Sequence, residues 1–125
     1  MIQQEGPGWR LVHDPSRPEF PVLIGGEGWA VELRSDEWDG LANLLSALQS
    51  QHASLQSQLM DEESIELEME CGSWWGCLDG DREHWSLQVL LQSVPGARGV
   101  ELHWKAPAAQ AFVEAMRTTW DCGAP

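Results

Sequence analysis

Apolar side chains recur along the chain at two spacings, every second residue and every third or fourth, and the switches between them mark the elements. Residues 8–13 alternate around Trp9 and Leu11, and Asp14, Pro15, Ser16, Arg17 and Pro18 then predict a turn, because fixed proline torsions and local side-chain hydrogen bonds compete with regular structure. Residues 20–24 form a short apolar run between Pro21 and the glycines Gly25, Gly26 and Gly28, which predicts a strand entering a hairpin. Trp29, Val31 and Leu33 alternate with Ala30, Glu32 and Arg34, so a third strand carries three large apolar side chains on one face. Ser35 followed by Asp36, Glu37 and Asp39 predicts a helix start, with the serine oxygen as cap and the acids facing the positive end of the dipole. Trp38, Leu41, Leu45, Leu48, His52, Leu55 and Leu59, widened by Leu44, form one stripe. That stripe predicts a helix of about 24 residues, roughly 36 Å long at ~1.5 Å per residue. The Gln- and Ser-rich second half of this helix reads as a solvated face.

Ile65, Leu67 and Met69 alternate with Glu66, Glu68 and Glu70, a strand with one apolar face and one row of carboxylates. Residues 73–78 and 83–92 flank Asp79, Gly80 and Asp81, where Asp-Gly predicts a tight hairpin turn. Trp85, Leu87, Val89 and Leu91 share a face, and Pro95, Gly96, Ala97, Arg98 and Gly99 turn the chain into Val100, Leu102 and Trp104. A four-stranded meander results. Pro107 suits the first turn of a second helix, with Ala109, Phe112, Val113, Met116 and Trp120 as its buried stripe and an end near Gly123.

Val31, Glu32 and Leu33 recur 69 positions later as Val100, Glu101 and Leu102, each time just before a helix. With one residue of slippage, Leu44, Leu45 and Leu48 match Phe112, Val113 and Met116. The predicted fold is therefore α+β, two pseudo-repeated antiparallel strand-meander-plus-helix units of about residues 1–60 and 61–125 within a single domain.

Composition narrows the functional classes. Seven basic against twenty acidic residues leave a formal charge of −13, so a polynucleotide or an anionic lipid surface would be approached against repulsion. With 42% hydrophobic and 22% charged residues, the chain has the apolar content to fold. Three cysteines are an odd number, which argues against a secreted disulfide framework. Residues 1–8 lack a basic stretch followed by an apolar run, and no segment approaches the roughly 20 apolar residues of a membrane span. A cytoplasmic protein without a membrane segment is expected.

Gly8, Trp9, Arg10 and Leu11, the run from Phe20 through Pro21, Val22, Leu23, Ile24, Gly25 and Gly26 to Glu27, the pair Trp74 and Trp75, and Ala115, Met116 and Arg117 together resemble a family of short cyanobacterial proteins known only as a domain of unknown function. The resemblance spans essentially the whole chain. It implies a Whirly-like fold, that of single-stranded-DNA-binding transcriptional regulators, with two strands-then-helix units back to back. Whirly proteins use a lysine-bearing basic motif for DNA and assembly. This chain has one lysine, Lys105, so the resemblance transfers no site residue.

Eight tryptophans stand beside two phenylalanines and no tyrosine. Trp29, Trp38, Trp85, Trp104 and Trp120 lie on apolar stripes and are expected in the core. Trp74 and Trp75 are adjacent in a strand, so their side chains take opposite faces and one must lie on the outer face. Trp74, Trp75, Glu66, Glu68 and Glu70 are therefore the candidate partner-binding residues, for a basic protein partner, with a homodimer through uncovered sheet edges as a further arrangement. The alternative is a single-stranded nucleic-acid binder, with Arg34, His103 and Lys105 as a small basic island interrupted by Glu32 and Glu101. Against it, residues 35–81 contain eleven acids and no lysine or arginine. Cys71 and Cys77 are separated by five residues, beyond the roughly two to four of zinc knuckles, and His13 and His84 lack obvious partners. No nucleophile elbow or phosphate loop is present, and Glu27 between Gly26 and Gly28 would repel an anion. Asp61, Glu62, Glu63, Glu66, Glu68 and Glu70 lack the alternating loop pattern of a calcium site. The chain is thus expected to be non-enzymatic, with no metal or cofactor.

Overall fold

Strand alternation and helical spacing resolve, in a computed structural model that describes residues 1–92 and 98–123, into two meanders each followed by a helix. Strands β1 (Ile2–Gly6), β2 (Trp9–His13), β3 (Val22–Gly26) and β4 (Trp29–Leu33) lead into α1 (Ser35–Gln56). Strands β5 (Ile65–Cys71), β6 (Trp74–Gly80), β7 (Trp85–Leu91) and β8 (Val100–Trp104) lead into α2 (Ala108–Gly123). Among the described residues, each set of four strands forms one antiparallel sheet in sequence order. The two-unit α+β fold is present, and the repeated Val-Glu-Leu segments close the two sheets at equivalent places, in β4 and β8. The expected turn at Pro95, Gly96 and Ala97 lies outside the described residues, as do the side chains of Trp120 and Cys122.

The helices are exchanged between the units. Helix α1 leaves the first sheet and lies on β5 and β6, while α2 leaves the second sheet and lies on β1 and β2 as well as β7. Neither unit can bury its own apolar face alone, so one core forms from Leu11, Ile24 and Leu33 of the first sheet, Trp74, Leu78 and Leu87 of the second, and both helix stripes. The approach of α1 to β6 is set by two reciprocal glycines. A Cβ at Gly40 of the helix would come within 2.9 Å of the Trp74 ring, and one at Gly76 of the strand within 2.8 Å of Leu44 Cδ2. Trp104 ties the layers from the other side: its indole Nε1–H donates to the Gly25 carbonyl at 3.0 Å, and its ring stacks on Phe112 with centroids 4.3 Å apart.

Four local expectations are corrected. Strand β1 is absent from the sequence reading because Ile2, Gln3, Gln4 and Glu5 carry one large apolar side chain between them; its order comes from pairing with β2 and from α2 above it. Arg34, rather than Ser35, occupies the cap position of α1, with Glu37 three residues on accepting its backbone N–H at 2.8 Å. The helix ends at Gln56, where i→i+3 bonds from Gln58 and Leu59 tighten the chain, so Leu59 lies beyond the stripe. The turn of the second hairpin is displaced as well. Asp79 and Gly80 belong to β6, and Asp81 organises the turn by accepting the N–H groups of Glu83 at 2.8 Å and His84 at 2.7 Å.

Gly76→Ala is expected to lower the stability by about 1–3 kcal/mol, the cost of forcing a methyl group between β6 and α1. Denaturant unfolding measures it, and a loss no larger than that of an exposed Gly→Ala change would show that α1 does not sit this close to the strand.

Candidate functional site

Two concavities and one open sheet face collect the chemistry-bearing side chains. The first concavity, a cleft of about 270 Å³ between the start of α1 and the β5–β6 turn, is lined by Arg34, Glu37, Asn43, Cys71, Gln92 and Arg98 among others. Its centre is the Glu37 carboxylate, only 4% exposed. Arg98 donates to it from Nε at 3.1 Å and from Nη2 at 2.6 Å, and also to the Glu32 carbonyl. The Phe20 ring lies beneath the guanidinium, 5.2 Å from centroid to Cζ, and Arg34 Nη2 stands 3.7 Å from the same carboxylate. Burial alone would raise the Glu37 pKa; the bonds from Arg98 and the Arg34 backbone outweigh it and hold the carboxyl below the usual carboxylate range. A carboxylate bound this fully is a structural counter-ion with no proton to exchange near neutrality. Sequence reasoning missed Arg98, which lies in a turn segment, whereas Glu37 carried a signal in its spacing from the helix cap.

The second concavity, about 430 Å³, is lined by Glu27, Trp29, His103, Trp104 and Lys105 with Gly8 and Ala108. His103 and Lys105 thus share one cleft, but Arg34 lines the other and is engaged with Asp36 at 3.2 Å, so the three residues of the basic island are not brought together. Arg17, Arg34, Arg82, Arg98 and Arg117 all pair with carboxylates of this chain; among the described residues only Arg10 and Lys105 make no ion pair.

The open face belongs to the second sheet. Ladder register places Glu70, Trp75, Leu90 and Glu101 in one row across all four strands, and Glu68, Cys77, Gln88 and His103 in the next. Trp75, Cys77 and Leu90 are half-buried in the middle of this face, with exposed Glu66, Glu68, Glu70, Asp79 and Glu101 around them. Among the described residues none of these five carboxylates has a cationic partner; Glu101 accepts from the Gln88 amide at 2.8 Å. The charge is legible in Cys77, whose thiol is pushed up by burial first and then by Glu66, Glu68 and Asp79, so it stays protonated and poorly nucleophilic. Glu66, Glu68 and Cys77 bring donor atoms within 4.8 Å of one another, two of the three on exposed side chains. The tryptophan pair divides as the alternation requires. Trp74 is the core member, 2% exposed, with Nε1–H donating to the Glu37 carbonyl at 2.9 Å, and Trp75 is the outer one.

Residues 4–119 match the model of a family described as a domain of unknown function, DUF1818. The chain belongs to that family. It is also similar to a crystal structure of a protein with unknown function, described as from the DUF155 family, from the cyanobacterium Prochlorococcus sp. NATL2A. The two share 43% identity and a TM-score of 0.88 over 96% of this chain and 99% of that one. No curated protein matches the chain. For this DUF1818 chain the comparisons therefore carry fold and family, and the chemistry rests on its own residues. No helix among the described residues is long and apolar enough to cross a membrane.

Two measurements follow from this geometry. Trp74→Ala is expected to cost about 3–5 kcal/mol, as for other buried indoles, and Trp75→Ala less, about 1–2 kcal/mol, since its ring lies on the outer face and is only partly buried; equal losses in thermal unfolding would contradict the division. Glu37 has a depressed pKa, so its contribution is full above the ordinary carboxylate value of about 4.3 and disappears as pH falls through the lower folded value. Glu37→Gln is expected to cost about 1–3 kcal/mol at pH 7 and to flatten the acid limb of a stability–pH curve; an unchanged acid limb would remove Glu37 from that role.

Proposed function

We propose that this DUF1818 protein is a non-enzymatic interaction module whose second-sheet outer face docks a basic protein partner. The observation that carries the reading is the row Glu70–Trp75–Leu90–Glu101, an indole and a leucine in the middle of a sheet face, flanked by carboxylates that no cation of the chain neutralises among the described residues. A rigid aromatic anchor inside a charged rim suits protein recognition, the anchor supplying affinity and the rim supplying attraction at a distance and selection of a basic surface. The first sheet offers a contrast that supports this. Its equivalent row is Gln3, Val12, Leu23 and Glu32, with a valine in place of the indole, and Glu32 is paired with Arg17.

Other groups fit a binding role better than a catalytic one. Glu37 is committed to two arginines, and the Cys77 thiol is held protonated by its acidic surroundings. The Whirly-like resemblance would bring single-stranded DNA, which requires a positive groove beside its stacking platforms. Here five of seven cations are internally paired, and the −13 formal charge opposes the approach.

Capture from a lysate of a cyanobacterium carrying a family member tests the reading. The wild-type chain is expected to retain a discrete basic protein at low salt, and both Trp75→Ala and a triple Glu66→Lys, Glu68→Lys, Glu70→Lys variant to lose it while staying folded. A prey indifferent to both changes would overturn the proposal, as would tight, salt-sensitive binding of a labelled single-stranded oligonucleotide.

A further inference from the structure

The acidic row lies on an edge strand, and the backbone of that strand bears on how a partner is held. The two-residue turn at Gly72 and Ser73 joins β5 to β6 and pairs Cys71 with Trp74. Across that strand, Gln92 N–H donates to the Ser73 carbonyl at 2.8 Å, so Ser73 turns its backbone groups toward β7 and Trp74 turns its own toward β5. An antiparallel ladder alternates residue by residue. Cys71, Met69, Leu67 and Ile65 therefore spend their N–H and C=O groups on β6, and Glu70, Glu68 and Glu66 direct theirs away from the sheet. Among the described residues no strand lies on that side, because β5 is the first strand of its sheet. The three carboxylates of the row and the three sets of unpaired backbone groups thus belong to the same residues.

Among the other sheet edges, β4 is occupied in part, since Arg98 donates to the Glu32 carbonyl there, and β1 and β8 have five residues each against seven in β5. A second copy pairing antiparallel through β5 would set Glu against Glu in directly opposed positions, which is destabilising. A strand of opposite sign meets no such penalty. On the inner side of β5, Ile65, Met69 and Cys71 remain half-buried under α1, leaving apolar surface at the alternate positions.

We infer that the partner is captured by strand addition: an extended segment with Lys or Arg at every second position and apolar residues between pairs antiparallel with the free edge of β5. Its basic side chains stand opposite Glu66, Glu68 and Glu70 on the outer face, beside Trp75, and its apolar side chains extend the layer beneath α1. Main-chain hydrogen bonds give affinity and the alternation gives selectivity. This inference rests on the proposed docking role of the acidic face and specifies how that face engages its partner.

A seven-residue peptide alternating Lys and Val is the probe. In the paired register the Lys residues face Glu66, Glu68 and Glu70, so their backbone N–H groups point at β5 and those of Val point away. Methylating the Lys amide nitrogens is expected to weaken binding by about tenfold or more, and methylating the Val amide nitrogens to leave it within about threefold, since the former removes ladder bonds and the latter does not. Amide exchange gives an independent reading on the unmodified chain. Glu66, Glu68 and Glu70 amides are expected to exchange readily in the free protein and to become protected with peptide, whereas Leu67 and Met69 are protected throughout. If the peptide binds and a triple Glu66→Gln, Glu68→Gln, Glu70→Gln variant loses it, but the two methylated peptides behave alike, strand addition falls and the acidic docking face stands. Absence of binding, or binding indifferent to the triple variant, overturns strand addition at this edge. The docking role itself falls only on the lysate capture or the oligonucleotide binding described above.

Discussion

The junction around Glu37 is the constraint on which the arrangement of the two units depends. One buried carboxylate receives the Arg98 guanidinium from the segment before β8 and the Arg34 N–H at the end of β4, while the carbonyl of the same residue receives the Trp74 indole from β6. Two segments distant in sequence, 37 and 61 residues away, therefore meet the end of β4 at one residue of the first turn of α1. Burying a charge is costly unless its partners are supplied with good geometry, and here they come from both halves of the chain. The ion pair is formed only when the halves are correctly docked.

The exchange of helices follows from the same geometry. With Glu37 held at the junction, α1 is directed away from its own sheet and across β6, and the two glycines at Gly40 and Gly76 let helix and strand approach until Trp74 and Leu44 interlock. Helix α2 repeats the manoeuvre on the first sheet, where Trp104 reaches the Gly25 carbonyl while stacking on Phe112. Each sheet is thereby left with one covered and one open face, a common condition of antiparallel sheets. The open faces are where the two halves differ.

How much of this could be read from the residues depended on the range of the forces involved. The alternation of Ile65, Leu67 and Met69 with three glutamates, or the stripe from Trp38 to His52, is a local pattern, and the corresponding elements appear where that pattern puts them. Adjacent Trp74 and Trp75 had to diverge, though which one turned inward depended on α1 arriving from the other unit. Strand β1 and the Glu37–Arg98 pair were not legible, because one depends on a neighbouring strand and a distant helix, and the other joins residues 61 positions apart. The displaced hairpin shows local signals in competition. Asp-Gly at positions 79 and 80 is a strong turn signal, yet Asp81 accepts two backbone N–H groups and closes the turn later, leaving Asp79 on the acidic face.

That displacement is one instance of a wider asymmetry between equivalent positions. Val12 and Trp75 occupy matching places, as do Gln3 and Glu70, and Glu32 and Glu101. In the first unit the Glu32 carboxylate is paired with Arg17 and its backbone carbonyl accepts a hydrogen bond from Arg98, so that sheet's β4 edge is partly closed. In the second unit the equivalent row keeps its charge, gains an indole, and ends at a longer edge whose backbone groups point outward from the charged residues themselves. Scaffold needs alone do not account for the difference, since the first sheet folds on the same plan without it. A row of like charges facing solvent contributes nothing to the core and opposes its own ladder through Glu66 and Asp79, which stand directly opposite each other. It also guards the edge against a second copy of the chain. A guard of one sign repels copies of itself while remaining open to a strand of the other sign, so on the proposed docking role protection of the edge and selection of a basic partner would both come from the same three glutamates.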